Sequence, residues 1–553
     1  MATIHRLPGS PWRAMIESAF FANSVRKTNM SELYRLAIKQ PEVTATSHPF
    51  YKPEQFGLPK DARVLISNDG GIMGRTARAR RLVREMGRDK DKYLRILGDA
   101  IFNFNRREGL WLEAVVGLQT DLMIKANLLS PVTDAKNMLD WGINFTPWMK
   151  PWSELYKKSR RLNEPDIMVF ADPEWSDPEF PNGLVIIDEK ENCIAILGLR
   201  YFGERKKGTL TLAWTIGVRL NMVACHGGIK TIGNHAPVAV FGLSGSGKSS
   251  ITNSLDHEGT LKKNEKVTVI HDDAFLIDLE SNITVALEPS LFDKTDAVKF
   301  RDPIIKYFYS AQNVGVTELP DGNRFIVAED IRNDNGRCIK SRDMFNHDDF
   351  CKRPGKVIWL QKDPSLPPIC KISDVGLAVA MGASLSTMRA KGVENVPKEE
   401  LAKLVIEPFA NPFRVHPLTV DCQQFKKLFK LGTECYIMNT HAFGMPGHEI
   451  DIPKELSLPI VTELARGKIE WREWKVFQGM MVPKNGNELF GADFEKKYKP
   501  TREMEYLQFL RNRMQDRITY LSNKRDIELD MESAFIDPLV VARTVIDKIL
   551  NPI

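Results

Sequence analysis

Nothing in this 553-residue chain is arranged for cross-linking. Its seven cysteines are scattered, odd in number and without a Cys-x-x-Cys pair, which excludes a disulfide framework or a cysteine-based structural zinc site and fits a reducing compartment. No apolar run reaches the roughly 20 residues that a membrane helix needs, so no membrane partner is expected. A secretory hydrophobic region is missing from the first residues; residues 1–30 bear arginine and few acids, a faint transit-peptide character, and the cytoplasm is the expected location. Charge of one sign is scarce as well. With 77 Lys+Arg against 71 Asp+Glu the net charge is +6, too small for bulk charge to imply nucleic acid. Internal repeats and low-complexity linkers are also missing, so no linker marks a domain boundary.

What is present belongs to a large folded protein. Charged residues make up 27% and hydrophobic ones 43%, a balance that folds, and the length is too great for one core. Strand-like runs at 184–187 and 193–198 alternate with helical ones such as 91–105, an α/β pattern. The boundary is expected around 225–235, giving an N-terminal domain over 1–228 and a C-terminal domain over 229–553, with packing helices at 501–523 and 531–550. Arg75, Arg78, Arg80, Arg81, Arg84 and Arg88 form a local basic cluster, read for the most part as the solvated face of an amphipathic helix.

The strongest signal lies near the end of the chain's first half. Residues 242–249 read Gly-Leu-Ser-Gly-Ser-Gly-Lys-Ser and follow the apolar run Val238–Phe241. Gly242, Gly245 and Gly247 let the backbone turn so that successive N–H groups, including those of Ser244, Ser246 and Ser250 beside them, face phosphate oxygens. Lys248 is expected to reach the β/γ-phosphates and Ser249 to hold Mg²⁺, at the start of a helix running towards Leu255. A chance glycine-rich turn is the ordinary alternative; the strand before and the helix after are the context that distinguishes the two.

A second signal follows at the distance such a loop requires. The run 266–270 reads as a strand ending in His271-Asp272-Asp273, which would put two carboxylates at a strand's C-terminal edge, facing the ligand crevice of an α/β sheet. Oxygen ligands suit Mg²⁺ or Mn²⁺, one aspartate directly and the other through water.

These elements are joined by others in a fixed order. Tyr201-Phe-Gly-Glu-Arg-Lys-Lys-Gly208 leads through Cys225-His226 to the glycine-rich loop and then to Asp272-Asp273, and this order, with the interval from His226 to Ser244, resembles the ATP-dependent phosphoenolpyruvate carboxykinases, although the gap from the loop to the aspartate pair is longer here. Glu288-Pro289 is similar to that family's Glu-Pro, Glu329-Asp-Ile-Arg332 to its Glu-Asn-Thr-Arg, the segment 438–447 to its stretch near the nucleotide base, and Gly71-Ile-Met-Gly-Arg75-Thr to its carboxylate-binding Gly-Arg-Ser. The resemblance spans about residues 60–450. It implies a two-domain α/β fold with a phosphate-loop-containing C-terminal mononucleotide-binding domain.

It also implies a chemistry. Oxaloacetate would rest its carboxylate near Arg75 and Tyr201, lose CO2, and attack the γ-phosphate of ATP as an enolate, giving phosphoenolpyruvate and ADP. A second metal, usually Mn²⁺, falls to Lys207, His226 and Asp273; the lysine ligates only as a neutral amine, with Lys206 as the neighbouring cation that favours this form. Lys248, Mg²⁺ on Ser249 and Arg332 would neutralise the transferring group, Asp272 would order the metal's waters, and Glu288 would contribute to the nucleotide site. The chain departs from the family in reading Ala-Phe-Leu-Ile-Asp after Asp273 and in having no clear counterpart of the lysine before Glu-Pro, for which Lys294 and Lys299 are candidate replacements. Two other readings share the scaffold: a kinase acting on another small molecule or a protein, and a nucleotide-binding regulator without turnover.

Overall fold

The computed structural model describes residues 9–68, 79–243, 245–257, 259–295, 297–328, 336–388, 404–499, 503–527 and 533–551. They form a mixed α/β protein with several sheets. The chain divides into two compact units, Met1–Ile216 with Ala286–Met344, and Gly217–Val285 with Phe345–Ile553.

The first unit contains two large sheets. The eight-stranded one is built around Gly109–Gln119, Leu122–Pro131, Ile167–Asp172, Cys193–Leu197 and Leu184–Asp188. Every residue of the last three strands is buried, which is why they read as continuous apolar runs. Helix Lys90–Phe104 covers this sheet with Tyr93, Leu97, Ala100, Ile101 and Phe104, one stripe at helical spacing. The arginine cluster just before it does not make the expected amphipathic helix. Arg80–Leu82 is a strand paired parallel with Leu184–Asp188, and two single 3-10 turns, Val83–Glu85 and Gly87–Asp89, carry the chain onward. Sheet pairing overrides the helical spacing of the arginines, and Arg80 is bound to Glu204 at 2.8 Å; Arg75 and Arg78 lie outside the described residues.

The smaller sheet of this unit has five strands in the order Ser290–Lys294, Arg337–Ser341, Phe308–Gln312, Arg63–Ser67, Val43–Pro49. Its strands come from two distant stretches of chain. A cluster of Val64, Ile66, Ile305, Phe308, Ala311, Val314 and Ile326 forms the apolar core beneath it.

The second unit is organised by a ten-stranded mixed sheet. At its centre Val238–Phe241, Lys356–Gln361 and Glu434–Asn439 run parallel, flanked by the antiparallel pair Val223–Ile232 and Val267–Asp278. Trp359 is fully buried there, with its ring 5.0 Å from Phe241 and 5.4 Å from Phe425. Burying aromatic side chains of this size contributes roughly 1.5–3 kcal/mol each. Helices Met504–Ile527 and Asp537–Leu550 pack as the expected C-terminal elements. Among the described residues no helix is long and apolar enough to cross a membrane.

Candidate active site

The glycine-rich loop leaves strand Val238–Phe241 and enters a six-residue helix, Lys248–Asn253. Gly245 and Gly247 have φ of +82° and +92°, and a Cβ on either would meet nothing within 4 Å. The backbone therefore turns through the left-handed region around open space, as a phosphate cradle requires. Gly242 is needed for a different reason, since a Cβ there would lie 2.2 Å from Ser246 Oγ. That oxygen is buried and has no hydrogen-bond partner among the described residues, while Ser246 O accepts from Thr440 Oγ1 at 2.7 Å. Ser249 is half-buried and Ser250 exposed; Ser244 lies outside the described residues.

Lys248 is already paired. Its Nζ is 2.8 Å from Asp272 Oδ1, and Asn253 Nδ2 donates to Asp272 Oδ2 at 2.8 Å. The two aspartates are not at the end of a strand as expected, because Ala274-Phe-Leu-Ile277 is itself strand-forming and extends the element to Asp278. They sit in mid-strand opposite Gly228 and Gly227. Gly228 is needed there: a Cβ would fall 2.0 Å from Thr252 Oγ1, in the helix that follows the loop. A glycine on the neighbouring strand thus lets that helix approach until Lys248 meets Asp272.

His226 lies one residue before this glycine pair. Its Nδ1 is 2.5 Å from Ala410 O, and since a carbonyl can only accept, Nδ1 carries the proton. Nε2 faces Asp273 Oδ1 at 2.9 Å. In the neutral ring a nitrogen lone pair and a carboxylate therefore converge, the arrangement that a divalent cation between them satisfies. Phe409 and Ala410 hold φ of +50° and +56°, a costly conformation for residues with a Cβ. Phe409 is fixed in it by stacking on Phe425, with centroids 4.4 Å apart and planes 3° apart. The strain presents the Ala410 carbonyl to His226.

In the first unit, Tyr201 precedes helix Phe202–Arg219, which carries Lys206 and Lys207. Tyr201 is bonded to Arg337, and burial raises its hydroxyl above the usual phenol range. Lys206 is fully buried and lies 3.1 Å from Glu288 Oε1, which is equally buried and also accepts from Asn144 Nδ2. Glu288 is thus committed to Lys206. Lys206 in turn is neutralised, and is not the bare cation beside Lys207 that the sequence suggests. Lys207 belongs to this unit and is half-buried, whereas His226, Ser249 and Asp273 belong to the other. Arg75 and Arg332 lie outside the described residues.

A family model described as phosphoenolpyruvate carboxykinase matches residues 85–490, well over half of the chain and including the loop, the aspartate pair, His226 and the Tyr201 segment. The chain belongs to the phosphoenolpyruvate carboxykinase family. Among curated relatives it is similar to the phosphoenolpyruvate carboxykinase (ATP) of Aeropyrum pernix, 27% identical over 53% of this chain and 60% of that protein. The glycosomal enzyme of Trypanosoma cruzi is 24% identical over 58% of this chain and 68% of its own length. That of Staphylococcus aureus N315 is 25% identical over 70% and 72%. The first of these matches spans less than two thirds of its relative.

Within this member of the carboxykinase family, several residues of the site had no signal of their own in the sequence. Asn253, Thr440, Gly228 and Ala410 come to the site by packing over long separations. The segment expected near the nucleotide base is anchored by Asn439, whose fully buried amide donates to the carbonyls of Asp363, Leu366 and Ala442. That residue shapes the loop. Among the described residues no group of three or more His, Cys, Asp and Glu could hold a metal; His226 and Asp273 are a pair.

Proposed function

We propose that this chain converts oxaloacetate and ATP to phosphoenolpyruvate, ADP and CO2, with the nucleotide on a phosphate-loop domain formed by the second unit and the organic acid on the first. The observation that carries the reading is the open cradle at Gly245 and Gly247 with Lys248 held at its edge by an exchangeable carboxylate. Phosphoryl transfer asks a protein for positioning and charge neutralisation more than for covalent help.

In this scheme the loop residues Gly242 to Ser250, Ser244 among them, bind the ATP phosphates through backbone N–H groups. Lys248 exchanges Asp272 for the β/γ-phosphates, and the released carboxylate, still held by Asn253, would help to organise the surroundings of a metal when one is bound. Ser249 would hold Mg²⁺, and His226 and Asp273, with Lys207 as the resemblance implies, would hold Mn²⁺. These cations, when bound, neutralise charge that develops on the enolate and on the transferring phosphoryl group. The Ala410 carbonyl keeps the His226 proton on Nδ1, so that Nε2 is the ligating atom. Arg75 and Tyr201 receive the substrate carboxylate, and Arg332 faces the transferring group. Glu288 serves the site indirectly, by fixing Lys206.

The test is turnover by the purified full chain with oxaloacetate, ATP, Mg²⁺ and Mn²⁺, beside GTP as donor and a Lys248→Ala control. Phosphoenolpyruvate formed with ATP and lost in the variant is the expected result. ATP binding without any phosphoenolpyruvate would sink the reading.

A further inference from the structure

In the eight-stranded sheet of the first unit, strand Leu122–Pro131 outruns one of its neighbours. Its parallel partner Ile167–Asp172 begins opposite Ala126. Among the described residues, Leu122 to Lys125 therefore have a strand on one side only, that of Gly109–Gln119. The chain between helix Trp152–Lys158 and Ile167 lines this open edge without pairing to it, and the two enclose a cleft of about 440 Å³. That is the size of a small-molecule site.

The cleft is charged in opposite senses at its rim and within. Lys157, Arg160 and Arg161 line it and are exposed, whereas Tyr156 and Asp166 are half-buried. The Asp166 carboxylate is short of donors. It accepts from the Asn127 side chain, but the two cations that act on it are engaged elsewhere. Lys125 Nζ is 2.7 Å from Glu113 Oε1, and Arg13 pairs with Glu17 and donates to the carbonyls of Asp166 and Glu191. Burial consequently raises this carboxyl above its ordinary value, and raises the neighbouring Tyr156 hydroxyl as well. At the rim the deficit is reversed, since Lys157 and Arg161 have no ion-pair partner among the described residues. Lys157 suits the C-terminal end of its helix; Arg160 and Arg161 lie beyond it.

We propose that this cleft binds a small hydroxylated phosphate monoester, its phosphate held by Lys157, Arg160 and Arg161 and a hydroxyl donated to Asp166. Three cations within five residues suit a dianion, and the planar arginine fork matches phosphate oxygens. A half-buried carboxylate that lacks donors is the complement of a hydroxyl, with the Tyr156 phenol as a second polar contact. A bare anion would be repelled by Asp166, and a bare cation by the rim. A ligand carrying both groups answers both. The site is independent of the reaction proposed above.

The experiment is calorimetry on the full-length protein. Glucose 6-phosphate and glycerol 3-phosphate are the probes, compared with glucose, inorganic phosphate and free aspartate, in wild type, Arg161→Gln, Asp166→Asn and Lys248→Ala, with melting curves to show that each variant folds. Both esters are expected to bind saturably, about tenfold or more tightly than glucose or inorganic phosphate. Arg161→Gln should weaken the esters about tenfold, as loss of a charged hydrogen bond does. Asp166→Asn should weaken them about threefold to tenfold while inorganic phosphate binds no more weakly, because the carboxylate that repels it is gone. Binding retained in Lys248→Ala separates this cleft from the glycine loop. Absence of saturable binding by both esters overturns the proposal, as does binding lost in Lys248→Ala or tighter binding of aspartate. Ester affinity unmoved in Asp166→Asn also overturns it, since the rim would then be a basic patch that takes any anion.

Discussion

Lys206–Glu288 in the first unit and Lys248–Asp272 in the second are lysine–carboxylate pairs of nearly the same geometry, and the two are suited to opposite roles. Lys206 and Glu288 are 3.1 Å apart with neither side chain exposed; Lys248 and Asp272 are 2.8 Å apart with 14% and 6% exposure. In the first pair no competitor can arrive without leaving a bare charge in a dry interior. In the second, on the proposed reading, an anion entering the glycine loop would take over the lysine, and Asn253 would keep its hydrogen bond to Asp272. Distance does not separate a structural pair from a functional one here. Whether the partner can be exchanged does.

The largest effect that should follow is on the closed pair. Glu288→Leu strands a buried ammonium and is expected to cost about 3–5 kcal/mol of stability, whereas the double variant with Lys206→Met should recover most of it, since apolar replacement of a whole buried pair is often neutral. Denaturant unfolding of the two variants checks this, and equal losses in both would erase the contrast. Next in size is Lys248→Ala. Removing a preorganised charge at the transferring group is expected to lower kcat by roughly 10²–10³, while stability should fall by less than in Glu288→Leu, because Asn253 still serves Asp272. Turnover beside a melting curve separates the two readouts; a variant that loses both equally would make the open pair structural like the other.

The same contrast explains what could be read from the chain before folding. The loop, its strand and the approximate extents of the helices at 90–104, 504–527 and 537–550 follow from local spacing, because a phosphate loop and an amphipathic stripe are built from consecutive residues. The arginines from 80 to 88 misled for the same reason: their helical spacing is local, but the pairing of Arg80–Leu82 with Leu184–Asp188 is not. Mid-strand placement of Asp272 and Asp273 depends on how far Ala274 to Ile277 extends the strand, which a two-residue motif does not encode. Gln312, Arg337 and Ser67 lie in separate segments, and only the pairing of three strands sets them side by side. The resemblance could name Lys206 and Glu288 as neighbours of the chemistry, but only burial shows that they bind each other.

A third lysine extends the comparison, because it is buried with no carboxylate partner among the described residues. Lys230 Nζ donates to Ile251 O, in the helix after the glycine loop, and lies 2.8 Å from His257 Nε2. His257 Nδ1 lies 2.7 Å from Thr462 Oγ1, whose own proton goes to Leu458 O; Nδ1 therefore donates and Nε2 is the acceptor facing the lysine. Burial lowers Lys230 to about 7, and burial together with Lys230 lowers His257 to about 4. In the unfolded chain Lys230 keeps its proton up to its ordinary value near 10.5. Between about pH 7 and 10.5 the unfolded state thus binds more protons than the folded one, and this residue makes stability rise with pH, by at most ~1.4 kcal/mol per unit. The corresponding rise from His257 is confined to about pH 4–6.5, so the two windows do not overlap. Lys230→Met should flatten stability between pH 7.5 and 8.5 by about 1 kcal/mol relative to wild type and leave the acid limb in place. Denaturant midpoints at the two pH values measure it. Parallel wild-type and variant profiles would mean that Lys230 keeps its charge without an anion, and that neutral carbonyl and imidazole acceptors hold a buried ammonium as well as Glu288 does.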